Sequence, residues 1–219
     1  MELVSVNNIS KTLSHKKILE NTSFLLNSGE IVGIIGSSGS GKSVFLKILI
    51  GFFKADSGKV FIDSSLKNSI GFSFQENSIY ENLTIRQNLN YFSKIYNLTS
   101  KEMKEQIPFL IESLDLSEWQ NVLVKKLSGG TKKRVDIACA LLKNPKLVIF
   151  DEPLLGLDPE RISKFLKLII DINKKYNTSI IITSHMVKEI FPICSKFFLV
   201  KDKKIYLLDK SKLIAKPPK

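Results

Sequence analysis

Gly36-Ser37-Ser38-Gly39-Ser40-Gly41-Lys42-Ser43 lies between an apolar run, Glu30-Ile31-Val32-Gly33-Ile34-Ile35, and a stretch from Lys42 to Gly51 with Val44, Phe45, Ile48 and Leu49 at helical spacing. An apolar strand entering a glycine-rich turn and then a helix points backbone N–H groups and a helix N-terminus at phosphate oxygens. The glycines let the main chain wrap closely. In this pattern Lys42 reaches the β- and γ-phosphates of a nucleotide, and the Ser43 hydroxyl is a ligand for Mg²⁺. A flexible Gly/Ser linker would not be flanked on both sides by periodic apolar segments.

Two further stretches lie downstream. Lys146-Leu147-Val148-Ile149-Phe150-Asp151-Glu152 is a buried-type strand ending in adjacent acids. One acid can offset a metal charge while the other, pointing away, accepts a proton. Before it, Leu127-Ser128-Gly129-Gly130-Thr131 opens a segment whose Val135, Ala138, Leu141 and Leu142 form an apolar face. That makes a second helix N-terminus suited to an anion. Taken alone it is also an ordinary Ser N-cap followed by glycines.

In this order the three stretches resemble the ATP-binding cassette (ABC) family, and the resemblance covers essentially the whole chain. It implies ATP and Mg²⁺ as cofactors. Gly36, Ser37, Ser38, Gly39, Ser40, Gly41, Lys42 and Ser43 are then the phosphate loop, with Asp151 on Mg²⁺ through water and Glu152 as the general base. Gln75, after Ile70-Gly71-Phe72-Ser73-Phe74, matches the family glutamine that attends the metal and the γ-phosphate side and links to a helical lobe. His185, ending Ile180-Ile181-Ile182-Thr183-Ser184, matches the switch histidine on the γ-phosphate. Asp158 in Gly156-Leu157-Asp158-Pro159 matches a loop that reaches across a dimer, and it also reads as an N-cap before a proline at the first helical position. Ser128, Gly129 and Gly130 match the signature that closes over ATP held by the opposite subunit, so that two cassettes sandwich two ATP head to tail.

The chain departs from the family at several points. No aromatic stands near Leu13, where most members stack one on adenine, and Thr131 stands where Gln is common. Leu154-Leu155 replace smaller or polar residues, and 63–68 is shorter than usual. None of these removes a phosphate, metal or water contact, so an active ATPase is still expected.

The bulk numbers are those of an ordinary globular domain: 219 residues, 43% hydrophobic and 25% charged. No apolar run approaches the roughly 20 residues that cross a bilayer. The start, Met1-Glu2-Leu3-Val4-Ser5, carries no secretory-signal pattern. A net charge of +12 invites a nucleic-acid reading, but the lysines are scattered (Lys16, Lys54, Lys104, Lys174), which argues against a nucleic-acid partner. Only 201–219 is locally basic and reads as a solvated end. Cys139 and Cys194 lie far apart without nearby ligand partners, as expected of a reducing cytosol.

The expected fold is α/β: a P-loop NTPase core with a mainly parallel sheet, an N-terminal antiparallel β portion and an inserted α-helical lobe. Strands are expected at 3–6 and 22–26 with a loop around His15, then at 30–35, 59–63, 69–74, 146–151, 179–184, 197–200 and 204–208. Helices are expected after 42, across 82–121, after the signature, over 159–176 and near 187–194. Thr84 with Gln87 and Thr99 with Glu102 read as capping boxes, and Pro108 is expected to kink or interrupt its helix. The expected organisation is one ABC-type domain over 1–219, with a core of 1–75 and 145–219 and a lobe of 76–144.

The functional expectation is the ATP-hydrolysing subunit of an ABC transporter. It would pair with a second copy or a homologous cassette and drive a separate transmembrane permease subunit from the cytoplasmic face of the membrane. The stretch Phe74-Gln75-Glu76-Asn77-Ser78-Ile79-Tyr80-Glu81-Asn82-Leu83-Thr84 looks like exporters of the drug, polysaccharide and lipid type. The alternative is a soluble, non-transport ABC ATPase on ribosomes or nucleic acid. Such relatives carry two cassettes per chain or a long coiled coil, and neither is present here. A module without turnover is opposed by Lys42, Asp151, Glu152 and His185 together.

Overall fold

The computed structural model describes residues 1–210, so the basic stretch 201–219 lies outside the described residues from 211 onward. In chain order the elements are β1 (Glu2–Leu13), β2 (Lys16–Asn27), β3 (Ile31–Ile35), α1 (Lys42–Leu49), β4 (Ser57–Ile62), β5 (Ile70–Ser73), α2 (Ile85–Ile95), α3 (Ser100–Ser113), α4 (Gly129–Leu141), β6 (Leu147–Phe150), α5 (Pro159–Tyr176), β7 (Ser179–Thr183), α6 (Val187–Ile190), β8 (Lys196–Lys201) and β9 (Lys204–Leu208). The fold is α/β, with a mostly parallel sheet, an antiparallel N-terminal sheet and a helical insert between β5 and β6. The chain gathers into two compact units, one of Met1–Lys67 with the residues from Ser179 onward, the other of Asn68–Thr178.

In the first unit, β1 and β2 form a long antiparallel hairpin, with Leu13 opposite Lys16 at its tip. Ser14 and His15 make the turn at φ 46° and 62°, the left-handed pair that matches the twist of hairpin strands. The expected loop around His15 is thus two residues long, and the strands run well beyond 3–6 and 22–26. Bulges along β1 break its in/out alternation, which hid the full length in the sequence. β1 also pairs with β4. The other sheet of this unit places β3 between parallel β7 and β8, with β9 antiparallel at the edge. All of β3 is buried. Phe24 of β2 meets Phe45 of α1 at 5.2 Å and Phe198 of β8 at 4.5 Å between ring centroids, joining hairpin, helix and parallel strands. Each such buried side chain contributes roughly 1.5–3 kcal/mol of transfer free energy.

In the second unit β5 and β6 run parallel, Ile70 beside Leu147 and Ser73 beside Phe150. Both expected capping boxes form: Thr84 accepts from Gln87 N, Thr99 accepts from Glu102 N, and each partner side chain returns the bond. Pro108 does not interrupt its helix; α3 runs from Ser100 to Ser113 with the proline inside. Packing outweighs the missing donor, since Ile107, Leu110 and Ile111 on the same stretch are buried. α5 begins with Pro159 at its first turn and ends on Asn177 at φ 54°, a left-handed cap. α4 differs from expectation. It is buried at Thr131 and at every residue from Lys133 to Leu141, and not along one apolar stripe. A Cβ on Gly71 of β5 would lie 2.1 Å from the Ala140 carbonyl oxygen, so α4 sits directly against the sheet.

Candidate nucleotide site

The glycine loop follows β3 directly. Gly36 has φ 156°, and a Cβ there would lie 2.6 Å from the Val200 carbonyl oxygen. Gly41, at φ 108° and ψ 5°, is the residue before α1, which has no side-chain cap. A Cβ on Gly41 would press on Ile18 Cγ2 at 3.0 Å, in a backbone region that L-residues avoid. The Lys42 side chain is buried and folds back over the loop, its Nζ donating to Gly36 O at 2.9 Å and Ser37 O at 3.1 Å. Ser40 Oγ is buried with no hydrogen-bond partner among the described residues. No acidic residue occupies the first turn of α1.

These features fit a polyphosphate. A helix start without a side-chain cap and the Ser40 hydroxyl supply donors, and the Lys42 ammonium, held over the loop by two of its carbonyls, supplies the positive charge. Ser43 is the second residue of α1 and half-buried. His185 is exposed, just past β7. Its neighbour Ser184 donates its amide to Ile34 O at 3.3 Å, next to the end of the strand that enters the loop.

In the second unit Asp151 continues β6, its amide donating to Ser73 O at 2.9 Å. Asp151 is 2% exposed. Glu152 has φ 50°, a left-handed conformation that is costly for a non-glycine residue, in a turn closed by Leu155 N on Glu152 O at 3.3 Å. Gln75 is exposed, two residues past β5.

Ser128 caps α4, accepting from Thr131 N at 3.2 Å, with the Ser128 and Thr131 hydroxyls 2.9 Å apart. Thr131, where the family commonly has Gln, therefore completes the cap. Gly129 and Gly130 differ in kind: a Cβ on Gly129 meets nothing within 4 Å, whereas on Gly130 it would lie 2.5 Å from the Gly156 carbonyl oxygen. Asp158 caps α5 through Arg161 N at 3.1 Å and pairs with the Arg161 guanidinium. The Arg161 backbone N–H first, and then its side chain, hold the Asp158 carboxyl below the ordinary range. Of the two leucines that depart from the family, Leu154 is buried in the core and Leu155 is half-exposed at 51%.

Three buried charged residues of α4 escaped the sequence reading. Arg134 Nη1 donates to Leu114 O and Asp115 O, both at 2.6 Å, satisfying carbonyls at the end of α3. Lys133 Nζ donates to Phe74 O and, at 3.4 Å, to Asp151 O. Asp136 accepts from Ser73 Oγ at 2.6 Å and Ser78 N at 2.9 Å. Burial pushes the Lys133 ammonium down and the Asp136 carboxyl up from their ordinary values, each partly offset by the other's charge. The only available signal was four charges in five residues, Lys132 to Asp136, ahead of an apolar run. That pattern reads as a solvated face until the neighbours are known.

The ABC transporter family model matches residues 19–155. The lipopolysaccharide export system ATP-binding protein LptB of Haemophilus influenzae is 33% identical, over 94% of this chain and 89% of its own. ABC transporter G family member 23 of Dictyostelium discoideum is 34% identical over 95% of this chain, which spans only 32% of that protein. The methionine import ATP-binding protein MetN of Clostridioides difficile is 32% identical, and the match spans 91% of this chain and 66% of MetN. Among solved structures, a dimeric post-hydrolysis ATP-binding cassette bound to ADP and Pi superposes with a TM-score of 0.84 at 25% identity, covering 94% of this chain and 99% of that one. Among the described residues no helix is long and apolar enough to cross a membrane. The chain belongs to the ABC transporter family, as one of its ATP-binding, ATP-hydrolysing cassettes.

Proposed function

We propose that two copies of this cassette, or one copy and a homologue, close head to tail around two ATP and drive a separate membrane-spanning subunit in the direction of export, from the cytoplasmic face. The observation that carries this reading is the loop at the start of α1, with its buried Lys42 ammonium, its helix start without a side-chain cap and a Ser40 hydroxyl that has no partner among the described residues. The near full-length likeness to LptB supports export, although MetN, an import protein, is similar over much of its length.

In this reading the amides of 37–43 and the Lys42 ammonium bind the phosphates and stabilise charge that develops on the transferred group. Ser43, Asp151 and Gln75 hold Mg²⁺, which neutralises phosphate charge when bound. Glu152 orients a water and accepts its proton. His185 contacts the γ-phosphate. Ser128, Gly129 and Gly130 receive the other cassette's nucleotide, and Asp158 lies at the dimer contact.

The test is Glu152→Gln. It keeps shape and hydrogen bonding while removing the basic lone pair. It is expected to bind ATP, to lose turnover, and to accumulate as an ATP-bound dimer on a sizing column. Wild-type steady-state hydrolysis in that variant would overturn the assignment of the base. Recovery of a multi-span membrane protein with the tagged chain, and transport by the reconstituted pair, tests partner and direction.

A further inference from the structure

Lys133 and Asp136 stand three apart on α4 and so share one helix face. Both are almost wholly buried, at 4% and 2% exposure, with Nζ 4.0 Å from the carboxylate. A buried ion pair contributes little net stability over well-packed apolar residues, because desolvation offsets the attraction. What this pair does is collect main chain from two other segments.

The Asp136 carboxylate bridges Ser73 and Ser78, the two sides of the turn that carries Gln75. Lys133 binds the carbonyls of Phe74, the residue before Gln75, and of Asp151, the residue before Glu152. The same helix begins at Ser128, whose glycine amides face the other cassette's phosphates in the proposed reading. At 1.5 Å of rise per residue Lys133 lies only about 7.5 Å along the axis from that end. A helix is stiff over such a length. Four hydrogen bonds tie the Gln75 turn and the Asp151 carbonyl to that short stretch of α4.

We propose that Lys133 and Asp136 are positioning residues that pin the Gln75 turn and the Glu152 backbone to α4, so that seating a phosphate on Ser128-Gly129-Gly130 sets the geometry of the attacking water's base. This rests on the nucleotide-sandwich reading above, but the pinning itself is independent of it.

The experiment compares Asp136→Ala, Asp136→Asn and Ser73→Ala, each measured twice. Backbone amide exchange across 74–78 is read without nucleotide, and steady-state ATP hydrolysis is read with Mg²⁺. Asp136→Ala is expected to speed exchange at Ser78 at least about tenfold, as its acceptor is lost. It is also expected to lower kcat by about 10- to 100-fold, with KM within about threefold, as for a misplaced reacting group. Asp136→Asn keeps an oxygen for Ser78 N–H and should recover most of both losses. Ser73→Ala removes one bond and should fall between. Wild-type kcat in Asp136→Ala, or equal loss in the Ala and Asn variants, overturns the proposal. If Asp136→Ala does not fold, Ser73→Ala decides: reduced kcat at unchanged melting supports the pinning, and unchanged kcat overturns it. A wild-type protein that hydrolyses no ATP defeats the nucleotide reading instead, and exchange at Ser78 still decides the pinning.

Discussion

Among the described residues two helix starts are marked by glycine, and they are built in opposite ways. At α1 no side chain closes the helix start: Gly41 supplies none, and Ser40 Oγ is buried without a partner among the described residues. At α4 the chain completes itself, because Ser128 and Thr131 close the cap with their own oxygens. The first start offers its donors to a ligand. The second is a stable helix end that can wait for one. The same difference separates neighbouring glycines: Gly130 is required by the Gly156 carbonyl of its own unit, while among the described residues nothing fills the space beside Gly129. A glycine that internal packing does not need is free to serve an approaching phosphate.

The largest expected effect that would break this comparison is on Lys42. Lys42→Met should lower ATP turnover at least about 100-fold, by steady-state phosphate release, as loss of one preorganised electrostatic contact does. Wild-type turnover would mean the α1 start is not the phosphate site. Next is the glycine pair. Gly130→Ala should lose about 2 kcal/mol in urea unfolding through its clash, whereas Gly129→Ala should hold or gain a few tenths of a kcal/mol. Gly129→Ala should nonetheless lose turnover; full activity would remove the reason for that open position. Ser128→Ala should cost about 1 kcal/mol as an ordinary cap. Its remaining turnover should depend on protein concentration more steeply than in wild type, since the defect lies in pairing. The smallest effect has the opposite sign. Ser40→Ala should leave the melting temperature unchanged or slightly raised, because it deletes a buried hydroxyl that no group satisfies. The same variant should weaken nucleotide binding by about fivefold in a titration, roughly 1 kcal/mol.

Much of this was legible from local pattern. The loop at 36–43, the strands around 31–35 and 147–150, α5 at Pro159–Tyr176 and both capping boxes follow from periodicity and from residues whose effect is confined to a turn or two. The misreadings share a cause. The β1–β2 hairpin is longer than its alternation suggests because bulges shift the register. Pro108 stays inside α3 because neighbouring side chains are buried deeply enough to outweigh a missing donor. α4 was read as one-sided because Val135, Ala138, Leu141 and Leu142 are spaced that way, yet its charged residues are buried too.

The identity of the phosphate loop, the acid-ended strand and the capped signature helix is written in contiguous residues, since glycine backbone freedom, strand periodicity and end-capping act within a few positions along the chain. Which polar groups lie in the interior is not written there. Lys133, Arg134 and Asp136 become interior only because β5, the end of α3 and the turn at 74–78 fold onto α4. Whether a charge stabilises or destabilises depends on partners distant in sequence that enclose it.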